Sequence, residues 1–375
     1  MIPLEPFALE RYFAAHEFEA RYTLAASEVE GMPLAELLAL ADDESAQLWK
    51  SLTLGYTQSA GHPLLRREIA ALDDMAPDDV LVCAGAEEAI FLTLQALLRE
   101  GDHAVVVWPA YQSLHEVARG AGASVTLLEL DAASGWRLDL AELQAALRPG
   151  TRAVVVNFPH NPTGAHLSHA DLAALVALCE ARGITLVSDE VYRFLEYDVA
   201  ARLPAAASLG ERAVSIGVMS KSFALAGLRI GWIATRDRAL LDRAAVLKDY
   251  TTICNAGPSE ILALIALRAR ETVLARSRSI VAANLQLVRD FFARHQAFFE
   301  WVEPRAGSVA FPRLRRGDAS TWVAQLRESE GVLLLPGAEF GGWSDHFRIG
   351  LGRSDAAAAL ERVEAFMRHS PCDDR

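Results

Sequence analysis

An α/β fold is predicted by the sequence: a mostly parallel seven-stranded sheet in a large domain, with a smaller α+β domain formed by the C-terminal part plus the N-terminal segment. Three observations lead there. From about residue 80, short β-branched apolar runs alternate with longer helical patterns. After Pro258 that alternation gives way to two long helices followed by shorter strands. The 375 residues, 52% apolar and 23% charged, are also enough for two cores. The expected division is 1–50 as an N-terminal segment belonging to the small domain, 51–275 as the large domain and 276–375 as the small C-terminal domain.

The seven runs are Val80–Cys83, Ala104–Trp108, Ser124–Leu130, Ala153–Asn157, Ile184–Ser188, Ala213–Gly217 and Ile230–Ala234. Their near-continuous Val/Ile/Leu content, without polar alternation, predicts strands buried on both faces. Helices are predicted between them at Glu87–Arg99, Leu140–Leu147 and Asp171–Ala181, the last opened by a capping-box pair, Ser168 and Asp171. Ser259–Arg270 and Val273–His295 read as long helices, the second a connector. Strands at Ser308–Phe311, Val332–Leu335 and Phe347–Leu351 and a helix at Ala356–Met367 complete the small domain.

Charge narrows the partners. With 36 Lys plus Arg against 49 Asp plus Glu, the net charge is −13, which disfavours nucleic acid and anionic lipid. No apolar run approaches the ~18 residues of a membrane span. Cys83, Cys179, Cys254 and Cys372 are widely spaced, without a CxxC pair, which predicts free thiols rather than a disulfide framework or zinc site. The N-terminus carries Glu5 and Glu10 and no early Lys or Arg, unlike a secretory signal. The expected compartment is the cytoplasm.

Ligands of open parallel sheets bind at the carboxyl ends of strands, so the residues following each run are the candidates. Gly85-Ala86-Glu87 opens a helix after the first run and reads as a tight turn or as an anion site of free N–H groups. Tyr111, after Trp108-Pro109, either packs or lies against a flat ring. The loop Asn157–Gly164, with two prolines, can aim Asn161 inward as a donor. Asp189 follows a buried strand, where a carboxylate is costly unless paired. It is a helix cap or the partner of a protonated ring nitrogen, with Tyr192 bonding nearby. Ser220-Lys221-Ser222 follows the sixth run, and Lys221 is either solvated or a nucleophile. Arg229 enters the seventh and suits an oxyanion. Arg348 interrupts an apolar strand and needs an anion, whether a structural carboxylate or a ligand. Together these groups match a ring with a protonated nitrogen, a phosphate, an aldehyde and a hydroxyl, which describes pyridoxal 5′-phosphate held by a lysine amine.

An ordered set of motifs runs along nearly the whole chain: Tyr56-x4-Gly61-x4-Arg66, Gly85-Ala86-x-Glu88-Ala89, Pro109-x-Tyr111, Asn161-Pro162-Thr163-Gly164, Ser188-Asp189-Glu190-Val191-Tyr192, Ser220-Lys221-x6-Leu228-Arg229-Ile230-Gly231, Pro336-Gly337 and Phe347-Arg348. On these the sequence resembles the fold-type-I, class I/II PLP-dependent aminotransferases. The resemblance implies transfer of an amino group between an L-amino acid and a 2-oxo acid through a lysine Schiff base. It implies that Lys221 is that lysine and the proton shuttle, and that Asp189 pairs with the ring nitrogen. Tyr192 and Asn161 would bond the ring oxygen, and Tyr111 would stack on the ring. Gly85, Ala86, Glu87, Ser220 and Arg229 would surround the phosphate. Asn161 would also border the substrate, whose α-carboxylate Arg348 would take. It further implies a homodimer with shared active sites, in which Tyr56 reaches the partner subunit's cofactor.

Two departures stand out. Val218 occupies the place, three residues before Lys221, of a phosphate-contacting Ser or Thr, leaving Ser220, Ser222 or the helix N-terminus to compensate. The family's glycine-bearing N-terminal substrate loop is replaced by Tyr22–Glu28. Capreomycidine synthase-like enzymes show a similar departure, and they imply an alternative: PLP-dependent elimination or cyclisation of an arginine-derived substrate. Other classes fail on the sequence. Residues 1–50 are too short and acidic for the DNA-binding domain of a PLP-sensing regulator. Gly120-Ala121-Gly122-Ala123 lacks the third glycine of a dinucleotide fingerprint and precedes a strand, and Glu196 stands where a dehydrogenase of the Tyr-x3-Lys kind needs lysine. His115-Glu116 lacks the second His of a zinc motif, and no other His/Cys cluster has ligand spacing.

Overall fold

The computed structural model describes residues 4–369, so Cys372 lies outside the described residues. Seven strands form one sheet: β1 (Val80–Cys83), β2 (His103–Trp108), β3 (Ser124–Glu129), β4 (Thr151–Asn157), β5 (Thr185–Asp189), β6 (Ala213–Val218) and β7 (Gly231–Thr235). Their order is β1-β7-β6-β5-β4-β2-β3. Only β7 runs antiparallel, to β1 and β6. The fold is therefore the mostly parallel α/β sheet that the alternating pattern predicts.

Six of the seven runs are buried along nearly their whole length, as fully covered parallel strands require. The prediction of burial on both faces fails for Ser124–Glu129, which is exposed at both ends and half-buried between. β3 is the edge of the sheet and pairs only with β2. Ser168 and Asp171 form the reciprocal capping box, Ser168 Oγ accepting from Asp171 N at 3.1 Å and Asp171 Oδ2 accepting from Ser168 N at 3.3 Å. The helix after β1 starts two residues earlier than its apolar periodicity indicates, at Gly85.

A 25-residue helix, Arg270–Arg294, joins the cores: Val273 and Leu274 pack with the large domain, while Val281, Leu285, Val288 and Phe292 pack with the small one. The N-terminal segment is likewise divided. Tyr22–Thr23 pairs in parallel with Val332–Leu333, and Leu24 and Val29 join the small-domain core. The helices Leu34–Leu38 and Asp43–Lys50 instead place Leu37, Leu48 and Trp49 against Leu65, Ile261 and Ile265 of the large domain. Of residues 1–50, the stretch after about 33 thus packs away from the small domain. Its apolar positions face a helix of the large domain, a preference no local sequence pattern encodes.

Candidate active site

Sheet register brings the candidate residues together. Asn157 at the end of β4 is the direct partner of Asp189 at the end of β5, and Asp189 in turn faces Ile216 of β6, two residues before the turn that carries Ser220 and Lys221. Because β7 is antiparallel, its first residue, Gly231, pairs with both Cys83 and Val218. Arg229, two residues before it, therefore arrives at the same end of the sheet. Gly85 sits there with φ +85°, and a Cβ on it would lie 2.7 Å from Arg229 Nη2. Glycine lets the exposed guanidinium rest against the first turn of helix Gly85–Leu97, so a cation and free helix N–H groups stand side by side.

These turns floor a cavity of about 360 Å3. Ala86, Glu87, Tyr111, Asn161, Asp189, Tyr192, Ser220, Lys221, Arg229 and Arg348, ten of the predicted site residues, line it. Gly85 lies just behind the lining. Tyr56 is not brought in; it stands on a surface loop, 91% exposed. Ser222 is buried and faces a separate small cavity beside Glu190 and Trp232, so of the two serines only Ser220 can replace the missing hydroxyl at position 218. Val218 itself packs against Val191 and Tyr192.

The electrostatics are those of a site prepared for a charged ligand. Asp189 is buried; its Oδ1 accepts one backbone bond, from Val191 at 3.2 Å, and it makes no ion pair among the described residues. Burial pushes its carboxyl up to about 7, against the pull of Lys221. It caps no helix, which removes the alternative reading of that residue. Glu87, its Oε2 buried without a partner, is also held at about 7 by burial. Lys221 Nζ donates to Ser27 Oγ at 2.8 Å and stands 5.7 Å from the Tyr192 ring centre.

Arg348 is 1% exposed. Its Nη1 donates to Asn161 Oδ1 at 3.0 Å and its Nη2 to the Ala25 carbonyl at 2.7 Å, while Nε is buried without a partner. Both acceptors are neutral, so no carboxylate pairs with it directly among the described residues, and burial draws its pKa down. Asn161 is itself fixed, its N–H donating to Asn157 Oδ1 at 2.8 Å, and Asn157 Nδ2 donates to the Asp189 carbonyl at 2.9 Å.

The roof of the cavity holds residues that follow no strand of the central sheet. Leu9, Glu10, Phe13 and Glu17 come from the N-terminal helix Ala8–His16 and its C-cap, and Ser27 and Glu28 from the segment that replaces the usual substrate loop. The i, i+3, i+7 spacing of Glu10, Phe13 and Glu17 puts them on one helix face, a pattern visible in the sequence but without a reason there to point at a ligand. Tyr111 OH donates to Glu10 Oε1 at 2.8 Å, joining roof to floor.

A family model described as aminotransferase class I and II matches residues 23–363. The chain belongs to this family. This aminotransferase-family chain is 32% identical over 354 residues to a capreomycidine synthase of Streptomyces vinaceus, spanning 93% of this chain and 88% of that protein. It is 31% identical over 330 residues to an aspartate aminotransferase of Geobacillus stearothermophilus, spanning 83% of each. A PLP-dependent aminotransferase from Streptococcus suis has the same fold, with a TM-score of 0.91 at 28% identity over 98% of both chains.

Proposed function

We propose that this protein is a PLP-dependent aminotransferase that moves an amino group between an L-amino acid and a 2-oxo acid. One observation carries the reading: Asp189, Lys221 and Arg348 line a single cavity, and neither the buried carboxylate nor the buried guanidinium forms an ion pair among the described residues. The residues fit pyridoxal 5′-phosphate. Asp189 would hold a protonated ring nitrogen. Arg229, Ser220 and the N–H groups of the first turn after Gly85 would bind the phosphate, and Glu87 would stand beside them. Tyr111 would cover the ring, with Tyr192 and Asn161 at its oxygen. When bound, the cofactor supplies an aldehyde for the amine and a ring that withdraws electrons from the substrate Cα. Lys221 Nζ would be the amine and afterwards the base that carries the Cα proton, and Ser27 Oγ, which accepts from it, would orient it. Arg348 takes the α-carboxylate as a planar two-donor fork.

Leu54, Tyr56 and Tyr250 are 88%, 91% and 87% exposed, a cluster of bare apolar groups that supports a homodimer in which Tyr56 completes the neighbour's phosphate site. Cys83, Cys179 and Cys254 are free thiols, which supports the reducing cytoplasm as compartment. No helix among the described residues is long and apolar enough to cross a membrane.

The test is reconstitution of the wild type and Lys221→Ala with cofactor, followed by an amino-donor screen. The wild type is expected to show the visible band of a lysine-bound cofactor and to convert it stoichiometrically to the pyridoxamine form with a suitable donor; the variant should do neither. A wild type that binds cofactor yet yields no pyridoxamine form with any donor would sink the reading. The second reading, elimination or cyclisation, is favoured by the likeness to the capreomycidine synthase and by the replaced loop Tyr22–Glu28. Ammonia or an unsaturated product without net amino transfer would select it.

A further inference from the structure

Once the floor and Arg348 are assigned, the roof keeps charges with no use. Glu10 and Glu17 line the cavity and make no ion pair among the described residues. Glu10 has only the neutral Tyr111 hydroxyl as donor. Glu28, also in the lining, is already matched by Arg353 at 3.0 Å. Burial, with the nearby Glu28 charge, holds the Glu17 carboxyl above its ordinary range. All three cations of the lining, Lys221, Arg229 and Arg348, have roles toward the cofactor or the α-carboxylate. The independent sign of a ligand is Arg348: fully buried, its Nε unpartnered, and facing the same cavity, it fixes where a substrate's carboxylate ends. Phe13 lies between Glu10 and Glu17 on the helix, and its ring is 5.9 Å from the Arg348 guanidinium. The helix face thus begins beside the carboxylate site and presents two carboxylates that have no ion-pair partner among the described residues.

We infer that Glu10 and Glu17 select an amino-acid substrate whose side chain ends in a second cation, a guanidinium or an ammonium. The inference rests on the PLP-dependent amino-acid reading above and holds for transfer and cyclisation alike. An aliphatic stem would run along Phe13 and Leu9, while the cationic head meets the carboxylates. An acidic side chain would instead be repelled by both.

Donors matched in length and differing in charge test it on the holoenzyme: L-arginine against L-citrulline, and L-lysine against L-norleucine. Dissociation constants come from titrating the cofactor's visible band, and kcat/KM from initial rates. The charged member of at least one pair is expected to bind about tenfold or more tightly, the size of one charge-assisted hydrogen bond. The pair showing the preference tells guanidinium from ammonium. In Glu17→Gln that ratio should fall by about tenfold, and in Glu10→Gln it should fall as well, the neutral member reporting that each variant is folded. Equal affinities within both pairs, or a preference for L-glutamate, would overturn the inference while leaving the amino-acid reading intact. If no amino acid perturbs the cofactor band, the reading beneath it falls and the inference with it.

Discussion

The floor of the cavity is made by consecutive turns at one end of one sheet, its residues set by strand register. The roof comes from residues 9–28 and touches the floor across sequence separations of 101 for Glu10–Tyr111 and 194 for Ser27–Lys221, and it meets Arg348 of the small-domain sheet across 323 from Ala25. The floor mixes cations (Lys221, Arg229) with carboxylates (Glu87, Asp189) and hydrogen-bonding groups; the roof adds apolar side chains, Ser27 and further carboxylates, but no cation. A sheet turn places its side chain by backbone hydrogen bonds, so floor chemistry depends little on the rest of the chain. A docked helix places its side chains by packing, so the face bearing Glu10 and Glu17 is freer to change than Ser27 or Ala25, which bond to Lys221 and Arg348 directly. On the reading proposed above, chemistry and selectivity would be carried by separate parts of this molecule, and the matched family segment, which begins at residue 23, includes the first and omits Glu10 and Glu17.

The largest effect should come from the floor. Asp189→Asn is expected to lower the rate about a thousandfold for every donor by removing the charge opposite the ring nitrogen. Its effect on the apoprotein should have the opposite sign. Asp189 is raised from 3.8 to about 7 in the fold, so the stability it supports is complete below about pH 4 and lost as pH rises through 7. The Asn apoprotein should therefore exceed wild type by about 4 kcal/mol at pH 8, with the gap closing toward pH 4. Denaturant melts across that range would show it, and a gap that grows on acidification would refute the assignment.

Next is the junction of floor and roof. Arg348→Lys should lower kcat/KM about a hundredfold for all amino acids alike, because a point charge replaces a two-donor fork. A loss confined to one class of side chain would move Arg348 from the carboxylate to the selective part. The smallest effect is expected at the link between the two regions. Tyr111→Phe removes only the hydroxyl on Glu10 and should change discrimination among donors by about fivefold with little change in cofactor affinity. A large loss of cofactor instead would show that roof and floor are coupled, contrary to the division drawn above.

The same division explains what could be read from the sequence. The seven strands, the capping box at Ser168 and the turns bearing Asp189, Lys221 and Arg229 follow from local apolar runs and the residues that end them. Their meeting follows from the rule that such ends form the site. Glu10 and Glu17 carry no such mark, since an acidic helix face looks like any solvated surface until the cavity that it faces is known. Ser27 fell within the segment expected to face substrate, but its bond to Lys221 depends on how that segment lies on the small domain. The edge position of β3 and the split packing of residues 1–50 were hidden for the same reason: both are set by what covers an element.

One further feature is Gly350, in the strand that carries Arg348. A Cβ there would stand 2.0 Å from the Ala26 carbonyl oxygen. The chain leading to Ser27 and Glu28 lies directly on that bare backbone, and Gly350 N donates to the Leu24 carbonyl at 2.6 Å. A glycine with no reactive atom thus works as a depth gauge for the amine-orienting hydroxyl above it. Anyone comparing variants of this enzyme should weigh an alanine at 350 as a change in the active site, although it adds only a methyl group and touches no substrate.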